Sequence, residues 1–297
     1  MNKNMFVKSH GLGNEYIVLD EKNISFKLDE KAIKRICNVN FGIGSDGILL
    51  RVDSKNSEIG LRIFNPDGSE AEKSGNGLRI FSKYVYDYGI INKTEFTVET
   101  KGGIVKANIR ELKNGKAHVI TVDMGKAIFN SGLIPVSFMK DEVQDEIICI
   151  EDKEYKINCV SLGNPHCVIL KEKLDIDEIK KYGPKIENYL MFPARINVQF
   201  AKVINRKEVE ILIWERGAGF TLASGSSSCA VASVLKKKGL IENEVTIKML
   251  GGQLRIEVDD NWNIRMTGEA RQICEGILSD ELLEDILDGG GQEKKAE

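Results

Sequence analysis

Histidine and tryptophan are scarce in this chain, with three of one and two of the other among 297 residues. His10, His118 and His166 lie far apart in the sequence, none at helical spacing from another. That excludes the usual histidine cluster of a dedicated transition-metal site, and no metal is expected. The six cysteines (Cys37, Cys149, Cys159, Cys167, Cys229, Cys274) form no CxxC pair and no dense framework. They read as free, mostly buried thiols of a cytosolic protein. No apolar run approaches the roughly 20 residues that cross a bilayer, so no membrane partner is expected. The opening MNKNMFVKSHGLGNEY lacks the apolar centre of a secretory signal, which points to a cytoplasmic location. A formal net charge of −3 gives no electrostatic reason to expect a nucleic-acid partner. The densest basic cluster, KKYGPK around Lys180, reads as a solvated helix face.

What is present is an ordinary globular composition, 42% hydrophobic and 29% charged, written twice. SGNGLRIFSKYVYDYGII begins at Ser74, and SGSSSCAVASVLKKKGLI begins 150 positions later at Ser224. Downstream, alternating apolar residues flank Gly102-Gly103 in one copy and Gly251-Gly252 in the other, the pattern of a β-hairpin. Upstream, LRIFNPDGSEAEK and VEILIWERGAGFTLA each pair an apolar strand with a Gly-containing polar loop. The repeated unit is therefore strand, loop, Ser-Gly, helix, hairpin. Leu78, Phe81 and Val85 give the first helix its spacing, and Ala230, Val231, Val234 and Leu235 the second. Gly89 and Gly239 are fitting stop residues.

Most of the remaining chain reads as strand. Short helices are expected at KAIKRICN, DIDEIKKYG and DELLEDIL, and GGGQEKKAE reads as a frayed tail. The predicted fold class is α/β (α+β), with two pseudo-symmetric domains from internal duplication. The boundary is placed near residue 123: residues 1–123 with about 270–297 form one domain and 124–269 the other. A shared site is expected in the cleft between them.

The polar loops hold an unusual share of asparagine: Asn14, Asn65, Asn76, Asn164 and Asn197, all in or beside glycine-rich or turn segments. Each is open to a turn-forming explanation. Together they suit a zwitterionic substrate whose carboxylates and ammonium groups must be fixed. In WERGAG, Arg216 could clamp a carboxylate bidentately and Glu215 accept from an ammonium; a structural ion pair is the alternative. The two helix starts offer unsatisfied N–H groups to an anion. N-capping alone accounts for Ser74 and Ser224, but not for their occurrence as a matched pair. Proton exchange at one carbon from two sides needs matched groups.

Along nearly its whole length the chain resembles the diaminopimelate epimerase family. The resemblance is carried by KSHGLGNEYIVLD, GIGSDGILL, LRIFNPDGSEAE, GNGLRIF, GNPHCV, RINVQF and ERGAG, in that order. It implies two similar domains, each a curved mixed β-sheet or barrel around a central helix. It implies an isomerase that inverts an amino-acid α-carbon, LL- to meso-diaminopimelate, by two-base proton transfer without pyridoxal phosphate or metal, hence no cofactor. It places the product in lysine and cell-wall precursor supply. Substrate contacts would be Asn14, Asn65, Asn164, Asn197, Glu215 and Arg216, with Gly75, Asn76, Gly225 and Ser226 binding the α-carboxylate at the helix starts. The partner is a small zwitterionic amino acid, and a homodimer is open to the chain.

The family pattern is broken at its catalytic centre. Where it has two cysteines this chain has Ser74 and Ser224, which take their positions as catalytic residues. Phe220 replaces an acidic residue, and Gly47 stands where glutamine is common. A free thiol titrates near 8.5, and a helix N-terminus lowers it further. A hydroxyl starts several units higher, closer to bulk water. Each unit is worth about 1.4 kcal/mol, so an unaided serine is a far weaker base. Nothing adjacent obviously helps: only His10 and His166 lie in candidate loops, Glu72 and Lys73 precede Ser74 with a direction that the sequence does not specify, and Cys229 lies too far into the second helix to substitute. Three readings stay open: a divergent enzyme using another base, an amino-acid-binding protein on this scaffold, or an engineered form with both cysteines replaced.

Overall fold

The computed structural model describes residues 2–287. Of the segment GGGQEKKAE, expected to fray, all lies outside them. The chain divides into two units: residues up to Val122 together with those from Glu269 onward, and Asp123–Gly268.

The first unit runs β1 (Met5–Gly11), β2 (Asn14–Asp20), α1 (Glu30–Cys37), β3 (Ile48–Val52), β4 (Ile59–Phe64), β5 (Glu70–Ala71), α2 (Gly75–Asp87), β6 (Glu95–Thr100), β7 (Gly103–Lys113) and the start of β8 (Lys116–Lys126). The second unit holds β9 (Glu146–Ile150), β10 (Lys153–Ser161), β11 (Pro165–Leu170), α3 (Ile176–Glu187), β12 (Asn197–Asn205), β13 (Glu208–Glu215), β14 (Gly219–Thr221), α4 (Gly225–Lys237), β15 (Glu244–Met249), β16 (Gly252–Val258) and β17 (Asn263–Glu269). The chain then returns to the first unit with β18 (Arg271–Ile277) and α5 (Asp280–Leu287).

Each unit is a mixed sheet wrapped on a helix. Most neighbours are antiparallel, but β2 runs parallel to β3 with Ile17 opposite Ile48, and β11 parallel to β12 with Cys167 opposite Val198. Both members of the second pair are numbered 150 above the first, so the duplication extends to strand register. A second parallel pair follows in each unit, β4 with β6 and β13 with β15. The glycine pairs close the hairpins: Gly103 sits opposite Thr100, and Gly252 opposite Met249. Gly102 N–H donates to the Glu72 carbonyl at 3.0 Å, and Gly251 N–H to that of Leu222 at 2.8 Å. Each hairpin is thereby tied to the loop that leads into the helix.

The central helices are buried on every face, as a helix enclosed by sheet must be. In α2 everything from Gly75 to Val85 is buried, and in α4 all of Ser227–Leu235. The first core cluster gathers Ile17, Leu19, Ile33, Ile36, Ile48 and Leu50 with Leu278 and Ile286 of the returning segment. The second gathers Ile157, Cys159, Cys167, Val198, Phe200 and Leu212 under α3. Both central helices end on glycine in the left-handed region, Gly89 at φ 65° and Gly239 at φ 69°. That is the backbone a helix stop requires and most side chains disfavour. No helix among the described residues is long and apolar enough to cross a membrane.

Candidate functional site

The two serines cap their helices in nearly the same way. Ser74 has φ −140°, ψ 119°, and its Oγ accepts the Gly77 N–H at 3.0 Å. Ser224 has φ −146°, ψ 124°, and its Oγ accepts the Ser227 N–H at 3.4 Å. Extended backbone with a side-chain oxygen folded over the first turn is the ordinary N-cap, so capping accounts for the local shape of both. It leaves the other hydrogen-bonding positions of each hydroxyl available, and the two units fill them differently. In the first, the Tyr16 hydroxyl lies 3.2 Å from Ser74 Oγ. In the second, Ser224 Oγ donates to Glu215 Oε2 at 3.1 Å. Each serine therefore has an ionisable neighbour, which the sequence did not reveal. Cys229 is fully buried one turn into α4, as its position in the helix implied.

The loop ahead of α2 is organised by the first hairpin. Leu12 (φ 57°) and Gly13 (φ 87°) form a two-residue turn with both residues left-handed, the geometry that matches strand twist. The turn sets Asn14 opposite Gly11. Asn14 donates to Asp46 Oδ2 at 2.9 Å and accepts from Asn76 Nδ2 at 3.1 Å. Asn76 Oδ1 in turn accepts from Arg79 Nη2 at 2.7 Å. Arg79 is wholly buried and also donates to the Gly75 carbonyl at 3.3 Å. Its cation adds to the positive end of the α2 dipole, where an anion is favoured. Asn65, in the turn after β4, donates to Ser69 Oγ at 2.9 Å and accepts the Gly68 N–H, so it also shapes its own turn.

In the second unit the parallel pair β11–β12 brings His166 opposite Asn197. Asn197 donates to the Pro165 carbonyl at 2.9 Å and accepts the Arg216 N–H at 3.0 Å, fixing the start of the ERGAG loop. The loop is held from its far side by Glu187 at the end of α3. That buried carboxylate accepts from Trp214 Nε1 at 2.8 Å and from the Gly217 N–H at 2.9 Å. Arg216 itself donates to the Ala194 carbonyl at 3.1 Å. Asn164 Oδ1 lies 3.0 Å from His166 Nε2, while His166 Nδ1 is 3.1 Å from Gln199 Nε2. Both ring nitrogens are thus committed. Burial, with Arg216 nearby, outweighs the bond to Gln199 and pushes the imidazole down to about 3, so the ring is neutral. Gln199 also donates to Ser227 Oγ at 3.0 Å, which ties β12 to the first turn of α4.

Apart from Asn65, which bonds within its own turn, the sequence-predicted residues fall into two groups. Asn14, Gly75, Asn76 and Ser74 gather around the start of α2; Asn164, Asn197, Glu215, Arg216, Ser224, Gly225 and Ser226 belong to α4 and the strand ends before it. Tyr16, Asp46, Arg79, Glu187 and Gln199 complete these networks and were not singled out from the sequence; His166, also part of them, was noted there only as a loop histidine. The 150-residue offset is a signal that could have found two of them, since it pairs Tyr16 with His166. Gly47 pairs likewise with Asn197, and its lack of a side chain is structural: a Cβ there would lie 2.5 Å from the Phe64 carbonyl oxygen and 2.8 Å from the Tyr16 ring. Phe220 sits on β14 opposite Trp214, with the Lys180 ammonium 4.9 Å from its ring centroid. No group of three or more His, Cys, Asp or Glu side chains is placed to hold a metal among the described residues.

Known proteins agree with this architecture. The sequence profile described as diaminopimelate epimerase matches residues 6–130 and 158–273. "Diaminopimelate epimerase 2" of Nostoc sp. is 47% identical over 278 residues, 93% of this chain and 96% of that protein. A diaminopimelate epimerase of Acetivibrio thermocellus is 42% identical over 272 residues, covering 91% and 97%. Among solved structures, a hydroxyproline epimerase from Agrobacterium vitis superposes with a TM-score of 0.69 at 13% identity, covering 93% of each chain. A methylitaconate-delta-isomerase does so with a TM-score of 0.62 at 13% identity, covering 92% and 94%. These distant neighbours share the fold.

Proposed function

The chain belongs to the diaminopimelate epimerase family, and from that premise we propose that it is an amino-acid α-carbon isomerase converting LL- to meso-diaminopimelate. The observation that carries this reading is the pair of N-capping serines, each within hydrogen-bond reach of an ionisable group. Inversion requires one group that removes the α-proton and a second that delivers a proton to the opposite face. The helix starts of α2 and α4 offer one such group each. Ser224 Oγ takes the α-proton while its own hydroxyl proton passes to the Glu215 carboxylate. The C–H electron pair stays on Cα and spreads into the substrate carboxylate. N–H groups at Gly75, Asn76, Gly225 and Ser226 favour that developing charge, as helix N-termini do. Asn14, Asn65, Asn164, Asn197 and Arg216 serve to fix the substrate's polar ends. The reading calls for no cofactor, for a cytoplasmic protein, and for a small zwitterionic amino acid as the partner; assembly as a homodimer is compatible with it.

One observation favours a second reading. Two hydroxyls in place of two thiols suit a protein that binds an amino acid without turning it over, and Phe220 would admit a different side chain.

Proton NMR in deuterated water separates them, using LL-diaminopimelate and a panel of L-amino acids. Loss of the α-proton signal with appearance of the second stereoisomer is the expected outcome. Binding without exchange of any substrate overturns the isomerase reading. In that assay Ser74→Cys combined with Ser224→Cys should raise the rate at least tenfold, since each position regains a more acidic group.

A further inference from the structure

We infer that Tyr16 exchanges its phenolic proton with Ser74, making the Tyr16–Ser74 pair the acid–base device of the first unit. The inference rests on the isomerase reading above and deepens it.

Geometry comes first. The Tyr16 hydroxyl is 3.2 Å from Ser74 Oγ, and the residue is 7% exposed. Its ring is accommodated by the missing side chain of Gly47, whose Cβ would come within 2.8 Å of Cε1. A serine hydroxyl has one proton and two lone pairs. The Gly77 N–H occupies one lone pair. With the Ser74 proton directed at a reacting carbon, the second lone pair is the place for the Tyr16 O–H. With Tyr16 ionised, the Ser74 proton turns to the phenolate instead. Both states use the same two oxygens without moving either side chain.

The duplication supplies the second argument. Position 16 corresponds to 166 and position 65 to 215, each 150 apart. In the first unit the serine's neighbour comes from position 16; in the second it comes from position 215. The counterparts are occupied elsewhere: His166 is bonded to Asn164 and Gln199, and Asn65 to Ser69. The halves have thus diverged so that each keeps one ionisable partner, of different chemistry. As free groups a carboxyl titrates near 4 and a phenol near 10, so at neutral pH the first class is a base and the second an acid.

The step balances. As Ser224 Oγ takes the α-proton and hands its own to Glu215, the Cα–H bond breaks and the electron pair stays on carbon. On the opposite face Ser74 gives its hydroxyl proton to that pair, forming the new C–H bond, and receives the proton of Tyr16. One proton leaves and one arrives; Glu215 ends neutral and Tyr16 ends as phenolate. Exchange with water, or turnover in the reverse direction, restores the starting forms. Tyr16 acts through Ser74 and does not meet the carbon itself.

Two measurements on the full chain test this. The first is independent of turnover. In Ser74→Cys, the pH dependence of iodoacetamide alkylation at position 74 is compared with and without Tyr16→Phe. Phenylalanine keeps the ring in its slot and removes only the hydroxyl. Asp46 and Arg79, charged members of the neighbouring network, are present in both proteins. Loss of the hydrogen bond from Tyr16 should raise the alkylation midpoint by about one unit, slowing reaction at pH 7 about tenfold. An unchanged profile overturns the inference. The second follows stereoisomer interconversion in the parent, in Tyr16→Phe and with 3-fluorotyrosine at position 16. Tyr16→Phe should lower kcat by at least about 100-fold with little change in KM. The more acidic fluorinated phenol should move a limb of the pH–rate profile toward lower pH. Interconversion by Tyr16→Phe within about twofold of the parent overturns the inference. A parent that exchanges no substrate overturns the isomerase reading, and the alkylation profile then still decides whether Tyr16 and Ser74 share a proton.

Discussion

At the scale of single residues, the chemistry turns on what replaces a thiolate. A hydroxyl cannot approach neutrality by sitting at a helix start, because it begins several units above a thiol. It needs a neighbour that holds the proton for it. In the proposed reaction Glu215, 3.1 Å from Ser224 Oγ, is that neighbour. Glu215→Gln keeps the shape and removes the proton acceptor. Interconversion should fall by about 100-fold or more, while binding of the substrate, followed by calorimetry, should weaken by at most about tenfold. An unaltered rate would place the base elsewhere. The asparagines were legible in the sequence as a group, because glycine-rich loops carrying that many amides are unusual. Their individual tasks were not. Asn76 spans Asn14 and Arg79, and Asn65 bonds within its own turn; such distinctions depend on side-chain direction, which no spacing rule specifies.

Among elements, α2 and α4 show how much can be read from a repeated phrase. Ser-Gly at the start, apolar residues at helical spacing and glycine after the last turn fix both helices, and the structure begins them at Gly75 and Gly225. The cap and the proposed catalytic role share one oxygen, and the two can be separated. Ser74→Ala should lower stability by about 1 kcal/mol, whereas Ser74→Gly should cost only a few tenths. Both should lose interconversion alike. Denaturant midpoints alongside rates would check this; activity tracking stability across the two variants would mean the serine is only a cap. The first turns of the helices have also diverged. Gly77 packs close to Leu49, where a Cβ would be 3.0 Å from Leu49 Cδ2, while the corresponding Ser227 is hydrogen-bonded to Gln199. An apolar contact in one unit is a polar one in the other, at the same register.

For the molecule as a whole, the polar network of the second unit makes its stability depend on pH. His166 titrates near 3 in the folded chain and near 6.5 when exposed. Between those values the unfolded chain binds the extra proton, so stability from this group is intact above about 6.5 and is lost as pH falls toward 3. The loss reaches about 1.4 kcal/mol per pH unit at its steepest. Both tryptophans, Trp214 and Trp262, lie in the second unit, so their fluorescence reports its unfolding directly. Denaturant titrations at pH 7, 5.5 and 4.5 should show the decline, and His166→Asn should flatten it. A slope unaffected by that substitution would assign the acid sensitivity to other groups.

The duplication, the two capped helices, the hairpins closed on glycine and the family are all legible in the amino-acid order. These follow from periodicity, from turn residues with few conformational options and from ordered motifs, all of which are local. It also showed that both thiols are absent, and from that alone each serine looked unaided. Folding gives each serine an ionisable neighbour. Tyr16 is 58 residues from Ser74 in the chain and opens an apolar strand run, so it reads as packing. A parallel strand pair and the space left by Gly47 are what bring its hydroxyl to the helix start. Glu215 reaches Ser224 because β13 ends beside α4, in a loop pinned by Asn197 and Glu187. Proton transfer depends on distances of about 3 Å between groups remote in sequence, and those distances are set by packing.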